Sequence, residues 1–254
     1  MVSRTAEQRV GLPVLEASWL SLAFIHWRVP VEDVQVLLPD GLSVDEHDGS
    51  AWVGLTPFRM VDMRPPGISR ITTRSSGGPW IAKMPRLPGL LSAPETNLRT
   101  YVRGPDGRDG LWFLSLDIGN PALAATLRAA TGAPYHFGRL TVTHEEDTVS
   151  YEGSRVGARA SYRVKLRLQE EVAPSELEIW LTSRWRAYTR HLGKLLVTPI
   201  EHEPWPLQRA GVFHLEEDLT AAVGLHVDGP ALVHFSKGVR HVRVGAPRWA
   251  TRGR

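Results

Sequence analysis

The chain has no cysteine, and this absence excludes disulfides, thiolate nucleophiles and cysteine-ligated metals. Lysine is also scarce, so arginine carries most of the positive charge; the lysines are Lys83, Lys165, Lys194 and Lys237. The net charge is only +3. A protein that binds nucleic acid through a basic surface usually concentrates more charge than this, so no nucleic-acid partner is predicted.

Long apolar stretches are missing as well. The sequence has no run of about 18 apolar residues, and its first residues, MVSRTAEQRVGL, contain no apolar signal core. These absences predict a cytoplasmic protein with no membrane partner. With 254 residues, of which 42% are hydrophobic and 22% charged, the composition is that of a globular domain with a substantial core.

Several catalytic and metal-binding motifs are also absent. No helical His-x-x-x-His or strand His-x-His pair occurs. Glu201-His202-Glu203 alternates across a strand, so the three side chains do not converge on one ion. The sequence also lacks a Gly-x-Ser-x-Gly elbow and a glycine-rich phosphate loop. We therefore predict no metal and no cofactor.

The patterns that are present predict one α+β domain over residues 15–245, mostly antiparallel β with a few short helices packed on it. Asn120-Pro121 is typical of a helix start and Gly132 of its end. Ser175 and Glu178 have the spacing of a capping box. Residues 1–14 are predicted to form a flexible arm and residues 246–254 a basic, disordered tail.

One predicted strand carries a row of polar side chains. Glu95, Asn97, Arg99 and Tyr101 alternate with less polar residues, which is the period of a β-strand with one hydrogen-bonding face. The segment 111–117 returns as the second strand of a hairpin and includes Trp112 and Phe113, poor residues for a strand bathed in water. We interpret the row as a binding site; a solvated sheet face is the alternative.

The register of this hairpin decides which polar groups meet. Grouping polar with polar residues sets Arg99 opposite Ser115 and Asn97 opposite Asp117. Glu95 is roughly 13 Å from Arg99 along the strand. We therefore expect Arg99 to be largely buried and bonded to an acid, with Asp117 favoured over Glu95.

Residues 64–93 break the strand pattern, because prolines, glycines and five cations occur there without an acid. A structureless stretch of this length is uncommon inside a domain unless it is functional or disordered. We interpret it as a partly ordered lid beside the polar hairpin. A solvated crossover is the alternative.

Several landmarks occur together and in order: His26-Trp27, Asp48-Gly49 with Ala51-Trp52-Val53-Gly54, Pro57-Phe58, Glu95-x-Asn97-x-Arg99-Thr100-Tyr101-Val102, Gly110-x-Trp112-Phe113-x-Ser115-Leu116-Asp117, Pro134-Tyr135 and Pro204-Trp205-Pro206-Leu207. With these the chain resembles the YqjF-like family, a domain of unknown function, over roughly residues 15 to 245. That family looks like a divergent relative of acetoacetate decarboxylase. The resemblance implies a barrel-like double sheet that encloses a pocket.

The resemblance to the decarboxylase fails at its catalytic lysine. Schiff-base chemistry needs a neutral lysine amine, and in the decarboxylase a lysine pair follows a Gly-x-Pro segment. The similar segment here, Gly132-Ala133-Pro134, is followed by Tyr135 and His136. The resemblance matches Glu95 to the pocket glutamate. A Schiff-base decarboxylase is therefore not expected.

Three functions stay open from the sequence. In the first, the domain binds a small anionic molecule, a carboxylate or keto compound, through Asn97, Arg99, Tyr101, Ser115, Asp117 and Tyr135. In the second, a cofactor-free enzyme uses Glu95 and His136 as catalytic acid and base. In the third, the polar row only stabilises the barrel of a structural or interaction protein. Homo-oligomer formation is also left open.

Overall fold

A long apolar strand near the N-terminus forms the centre of the sheet. In the computed structural model, which describes residues 2–64 and 92–251, this strand is β1 (Pro13–Val29). It pairs antiparallel with β12 (Leu232–Gly245) on one side and with β3 (Ala51–Arg64) on the other. Ala23 and Phe24 point into different cores. A strand buried on both faces must be almost continuously apolar, which explains the composition of this stretch.

The remaining elements are short strands and four short helices in the described part of the chain. The strands are β2 (Ser43–Val44), β4 (Ala93–Arg103), β5 (Asp109–Ile118), β6 (Tyr135–Glu145), β7 (Thr148–Arg155), β8 (Ser161–Glu171), β9 (Arg186–His191), β10 (Lys194–Glu201), β11 (Leu207–Glu217) and β13 (Arg248–Trp249). The helices are α1 (Val31–Gln35), α2 (Pro121–Thr131), α3 (Glu176–Thr182) and α4 (Leu219–Ala222). This confirms the prediction of an α+β domain that is mostly antiparallel β with a few short helices.

Strand pairing closes the sheet into a barrel. The order β5-β6-β7-β8-β11-β12-β1-β3-β4 returns to its start because β4 also pairs with β5. A second, smaller ring of pairings runs from β5 through β9 and β10 to β12. The strands β12, β1, β3, β4 and β5 belong to both rings. This shared wall therefore presents one face to each interior.

The two interiors hold different cores. Ile25, Leu55 and Leu98 lie in the core of the larger ring, hereafter the first core. Phe24 and Phe58 lie in the core on the other side of the shared wall, the second core. Because side chains alternate along a strand, neighbouring residues of β1, β3 and β4 serve opposite cores.

The helix signals in the sequence are confirmed. Asn120 caps α2, and its Oδ1 accepts a hydrogen bond of 3.0 Å from the Leu123 amide. Gly132 ends this helix with φ of 70°, a conformation that glycine adopts at little cost. Ser175 begins α3 through the predicted capping box with Glu178.

The flexible arm and the disordered tail predicted for the two chain ends stay predictions, although described residues at both ends contact the sheet. The expected flexible arm packs on β9 and β10: Glu7 pairs with Arg186 at 2.6 Å, and the Val10 amide donates to Glu201 at 2.6 Å. In the expected disordered tail, β13 pairs with β10. Both ends supply partners to polar groups and to a sheet edge that would otherwise be open.

Two further predictions, the lid and the absence of a membrane span, can be compared only with the described residues. The lid proposed for residues 64–93 falls almost wholly outside them. Within residues 2–64 and 92–251, no helix is long and apolar enough to cross a membrane.

Candidate functional site

The polar row of β4 faces the second core. Glu95 lies opposite Phe58 of β3, and the Arg99 guanidinium lies over the Phe24 ring, 5.5 Å from its centroid. Asn97 and Tyr101 share this face by alternation. All four polar residues of the row are buried, so the alternative of a solvated sheet face is excluded.

The predicted hairpin register is wrong, because β5 carries a bulge. Thr96 lies opposite Asp117 and Leu98 opposite Ser115, after which the pairing shifts so that Arg99 lies opposite Phe113. A slip of one residue moves every side chain to the other face of a sheet. Ser115 and Asp117 therefore share a face with Leu98 instead of Arg99.

Asp117 finds a different arginine. It accepts two hydrogen bonds of 2.8 Å from Arg155, one from Nε and one from Nη2, and both side chains are buried, 3% and 8% exposed. His136 of β6 lies beside Asp117 in the parallel pairing. Burial, and secondarily the Arg155 charge, lower the pKa of His136. The structure thus places His136 with this ion pair and not with Glu95.

Arg99 is buried as predicted, but its expected bond to an acid is absent among the described residues. Its Nε and Nη2 are inaccessible and have no hydrogen-bond partner there. No carboxylate in the described ranges forms an ion pair with it. A buried guanidinium with two such nitrogens and no carboxylate beside it is costly, because it loses much of its hydration without full compensation. Such a group requires an anion or ordered water.

His26 and Tyr101 stand beside Arg99 on the same face. The Tyr101 hydroxyl donates its single proton to the Leu181 carbonyl at 2.7 Å. It therefore accepts from Nε2 of His26, 2.8 Å away, which leaves Nδ1 of His26 unprotonated. Gly54 lies opposite both His26 and Arg99, and a Cβ there would come within 2.9 Å of the His26 ring. The missing side chain of Gly54 therefore leaves room for the His26 ring.

The charge of His26 is set by the same neighbours. Burial, the Arg99 charge and His234 hold its pKa well below 6.5. The ring is therefore neutral at physiological pH and does not repel an anion. Its Nδ1 is buried without a partner among the described residues.

Glu95 and Tyr135 meet at the other end of the polar row. Tyr135 pairs with Leu116, which pairs with Asn97, so Tyr135 shares the face of Glu95. Burial raises the pKa of Glu95 to about 8. Burial and the nearby Glu95 carboxyl raise the pKa of Tyr135 well above 10. Glu95 is consequently a neutral, proton-bearing group at pH 7.

More polar atoms on this side of the wall lack partners. Buried oxygens without a hydrogen bond among the described residues include those of Thr56, Glu95, Asn97 and Thr189. Thr56 lies opposite Asn97, and Thr189 lies two residues from Ala187 of the second core. Folded proteins leave few such groups unsatisfied. Because they lie on the side of the wall that Arg99 faces, this interior is the candidate site.

The lysines described in the structure lie away from this site. Lys165 pairs with Glu145 at 3.0 Å on the surface, and Lys237 pairs with Glu171 at 3.2 Å. Lys194 is exposed and lies over the Trp249 ring. Lys83 is outside the described residues. Of the lysines in the described part, none is placed for Schiff-base chemistry.

The sheet opens next to the site. On the edge away from β4, β5 pairs with β9 at Leu111–Trp112 and with β6 at Leu116–Ile118. Between these pairings, β9 and β6 diverge around Phe113. A cleft of about 470 Å³ lies in this opening, here called the split cleft. Another cleft, of about 800 Å³ on β6–β8, is lined by none of the predicted site residues.

Comparison with known families assigns the chain. The family model DUF2071, described as an uncharacterised conserved protein, matches residues 16–78 and 80–240. The chain belongs to this family. The uncharacterised protein YqjF of Bacillus subtilis (strain 168) is 28% identical over 247 residues, covering 93% of this chain and 95% of that protein. The resemblance to YqjF-like proteins is confirmed.

Solved structures confirm the fold. The enduracididine biosynthesis enzyme MppR in complex with pyruvate superimposes with a TM-score of 0.64 at 12% identity, covering 97% of this chain and 93% of that one. An acetoacetate decarboxylase-like enzyme from Sphingomonas wittichii RW1 has a TM-score of 0.60 at 15% identity, and 96% of each chain is covered. The DUF2071 chain therefore has the acetoacetate decarboxylase-like fold predicted for it.

Sequence reasoning missed several residues of the site. His26 and Gly54 stand within the family motifs, which was a usable signal. Phe24 and Thr189 are ordinary strand residues, and nothing local distinguishes them. The roles predicted for the polar row, Ser115, Asp117, Tyr135 and His136 stay predictions, although the structure brings together only Glu95, Asn97, Arg99, Tyr101 and Tyr135.

Proposed function

We propose that this protein binds a small carboxylate or keto compound in the interior around Arg99, without forming a Schiff base. The observation that carries the proposal is the buried Arg99 guanidinium, two nitrogens of which have no hydrogen-bond partner among the described residues. A carboxylate accepts two parallel hydrogen bonds from an arginine, and such charge-assisted pairs are strong in a dry site. An anionic ligand thus removes the main electrostatic cost of the ligand-free interior.

The neighbours of Arg99 support an anion. His26 is neutral because its pKa is lowered, and Glu95 is neutral because its pKa is about 8. The only formal charge contributed by these three groups at pH 7 is therefore the positive charge of Arg99. The hydroxyl of Tyr101 is held by its hydrogen bond to the Leu181 carbonyl. Pyruvate, the ligand bound in the MppR structure, is a suitable first probe.

Binding of pyruvate should depend on Arg99. In ligand-observed NMR and calorimetry at pH 7, the wild type should bind pyruvate, and Arg99→Met should weaken binding by about 2–5 kcal/mol. Arg163→Met is the matched control, because Arg163 is 62% exposed and pairs with Glu152 on the surface. Equal binding by wild type and Arg99→Met would contradict the proposal.

Covalent chemistry is tested in the same samples. Borohydride reduction in the presence of pyruvate or acetoacetate should leave all four lysines unmodified by mass spectrometry. A trapped adduct on Lys83, Lys165, Lys194 or Lys237 would restore a Schiff-base mechanism.

The properties of Glu95 support a second candidate function. In this candidate the protein is a cofactor-free enzyme that transfers a proton to or from a bound keto acid. A carboxyl with a pKa of about 8 beside Tyr135, on the face of Arg99, is suited to acid–base chemistry. Arg99 would stabilise the negative charge of an enolate. His136 does not take part in this version, since it lies with Asp117 and Arg155.

This candidate predicts proton exchange. The wild type in D₂O should exchange the methyl protons of pyruvate, at a rate that rises with pH through about 8 as Glu95 ionises. Glu95→Gln should reduce the rate by about 10²–10⁴-fold, while His136→Ala should retain it. If pyruvate binds to the wild type but its methyl protons exchange no faster than in buffer, the enzyme candidate is wrong and only the binding function remains.

A further inference from the structure

We propose that the ligand is a small hydroxycarboxylate, whose carboxylate binds Arg99 and whose hydroxyl donates a hydrogen bond to Nδ1 of His26. This inference rests on the proposed function and names the ligand class of the same site. A simple keto acid such as pyruvate offers only acceptors to the protein, so it can pair with Arg99 but cannot satisfy Nδ1.

The hydrogen bonds around His26 make Nδ1 an acceptor. The Leu181 carbonyl can only accept, so the single proton of the Tyr101 hydroxyl is directed to it. The same hydroxyl therefore accepts the Nε2 proton of the neutral His26 ring. Nδ1 then carries a lone pair, is buried and has no hydrogen-bond partner among the described residues. Only a donor can satisfy such an atom.

The contact with Gly54 shows which way Nδ1 faces. A Cβ on Gly54 would lie 2.9 Å from Cδ2 and 3.1 Å from Nε2 of His26, so this edge of the ring rests on β3. Nδ1 is the ring atom opposite that edge and faces away from β3. The ring is stacked on Phe24, with an angle of 13° between their planes, and Phe24 belongs to the second core. The donor that Nδ1 lacks is therefore expected from the interior.

Arg99 and His26 are close enough to serve one small molecule. Gly54 lies opposite both of them, so they stand at one level of three neighbouring strands. The Phe24 centroid is 5.5 Å from Cζ of Arg99 and 6.2 Å from the centre of the His26 ring. Burial raises the pKa of Tyr101, and the charge and hydrogen bond of Arg99 oppose that rise. The guanidinium is thus a neighbour of the hydroxyl that holds His26.

The local charge favours a hydroxyl over an ammonium as the donor. Burial, Arg99 and His234 lower the pKa of His26, and no acid of the described residues raises it. An ammonium at Nδ1 would bring a second positive charge next to Arg99, with no carboxylate of the protein to balance it. A hydroxyl supplies the same proton without a charge.

Pairs of acids that differ by one hydroxyl provide the test. Lactate and 3-hydroxybutanoate are titrated into the full-length wild type at pH 7, each against its match without a hydroxyl, propanoate or butanoate. At least one hydroxy acid should bind about fivefold more tightly than its match, which is the net effect of one hydrogen bond. Alanine should bind more weakly than lactate. Equal or weaker binding of both hydroxy acids, or alanine binding as tightly as lactate, would overturn the inference.

A variant without Nδ1 tests the acceptor. His26→Phe should bind the hydroxy acid and its match equally, because the preference depends on Nδ1. His226→Phe is the matched control, since the His226 side chain is 88% exposed, and it should keep the preference. A preference that persists in His26→Phe would overturn the assignment of the hydroxyl to His26.

Nitrogen NMR of the wild type gives a measurement that does not depend on a variant. With ¹⁵N-labelled histidine, Nδ1 of His26 should resonate as an unprotonated nitrogen in the ligand-free protein. The preferred hydroxy acid should move this resonance upfield, as a hydrogen bond to the lone pair does, and its match should not. A protonated Nδ1 in the ligand-free protein, or an unmoved resonance at saturation, would contradict the inference.

Failure of this inference differs from failure of the proposed function. If all the carboxylates bind in a manner that depends on Arg99 but without a preference for a hydroxyl, this inference is wrong and the proposed function stands. If pyruvate and every other carboxylate fail to bind, the proposed function itself is wrong.

Discussion

Replacing Arg155 with methionine should lower the free energy of unfolding by about 3–5 kcal/mol, whereas Arg99→Met should change it by no more than about 1 kcal/mol or raise it. The two arginines are both buried, at 8% exposure for the Arg155 side chain and 7% for Arg99. They differ in their partners. Arg155 neutralises buried Asp117 through two hydrogen bonds, and its loss strands that carboxylate.

Removing Arg99 leaves no carboxylate of the described residues without its ion-pair partner. Its Nε and Nη2 have no partner among the described residues, so the ligand-free protein bears the cost of a buried charge that methionine does not carry. The Arg99→Met variant loses the cation–π contact and some packing against Phe24. This loss is smaller than the cost of leaving a buried carboxylate without its partner. Urea denaturation of wild type and both variants at pH 7, without ligand, measures the contrast. Equal destabilisation by the two changes would show that Arg99 is satisfied within the ligand-free fold.

The second large effect concerns pH. Glu95→Gln should stabilise the protein relative to wild type, and the difference should grow as the pH rises from about 4.5 to about 8. The pKa of Glu95 is about 8 in the folded protein against an ordinary value of 4.5. Between these values the folded state holds a proton that the unfolded state has released, so wild-type stability falls with rising pH by at most about 1.4 kcal/mol per pH unit from this group.

Glutamine keeps the shape and the neutrality of the protonated carboxyl and does not titrate. The difference between variant and wild type should therefore be near zero below pH 4.5 and level off above pH 8. His202, whose pKa burial lowers to about 4, acts in the opposite direction. The stability that the neutral His202 contributes to the folded protein is lost as the pH falls from 6.5 towards 4. Because wild type and Glu95→Gln both contain His202, this contribution cancels in the difference between their free energies of unfolding.

Urea midpoints at several pH values, with m-values checked for constancy, measure the effect. Glu152→Gln serves as the control, because Glu152 is 55% exposed on the surface. A stability difference for Glu95→Gln that does not change with pH would mean that Glu95 is ionised or solvated in the folded protein.

The sequence alone determined the polar face of β4. Alternation has a period of two in any strand, so Glu95, Asn97 and Arg99 had to share a face once this segment was extended. Local hydrogen bonding likewise determined where α2 and α3 begin, since a cap needs only residues within one turn. The family motifs determined the fold, because many weak signals agreed in order.

Only the tertiary structure decided which groups meet across that face. The bulge in β5 moved Ser115 and Asp117 away from Arg99, and a bulge is accommodated by the packing of neighbouring strands as well as by local sequence. Asp117 pairs with an arginine 38 residues away in the chain, a separation that no local pattern encodes. The split between β9 and β6 depends on pairings with the same edge of β5. Long-range strand pairing thus turned a predicted polar row into a site around a buried arginine that has no acidic partner among the described residues.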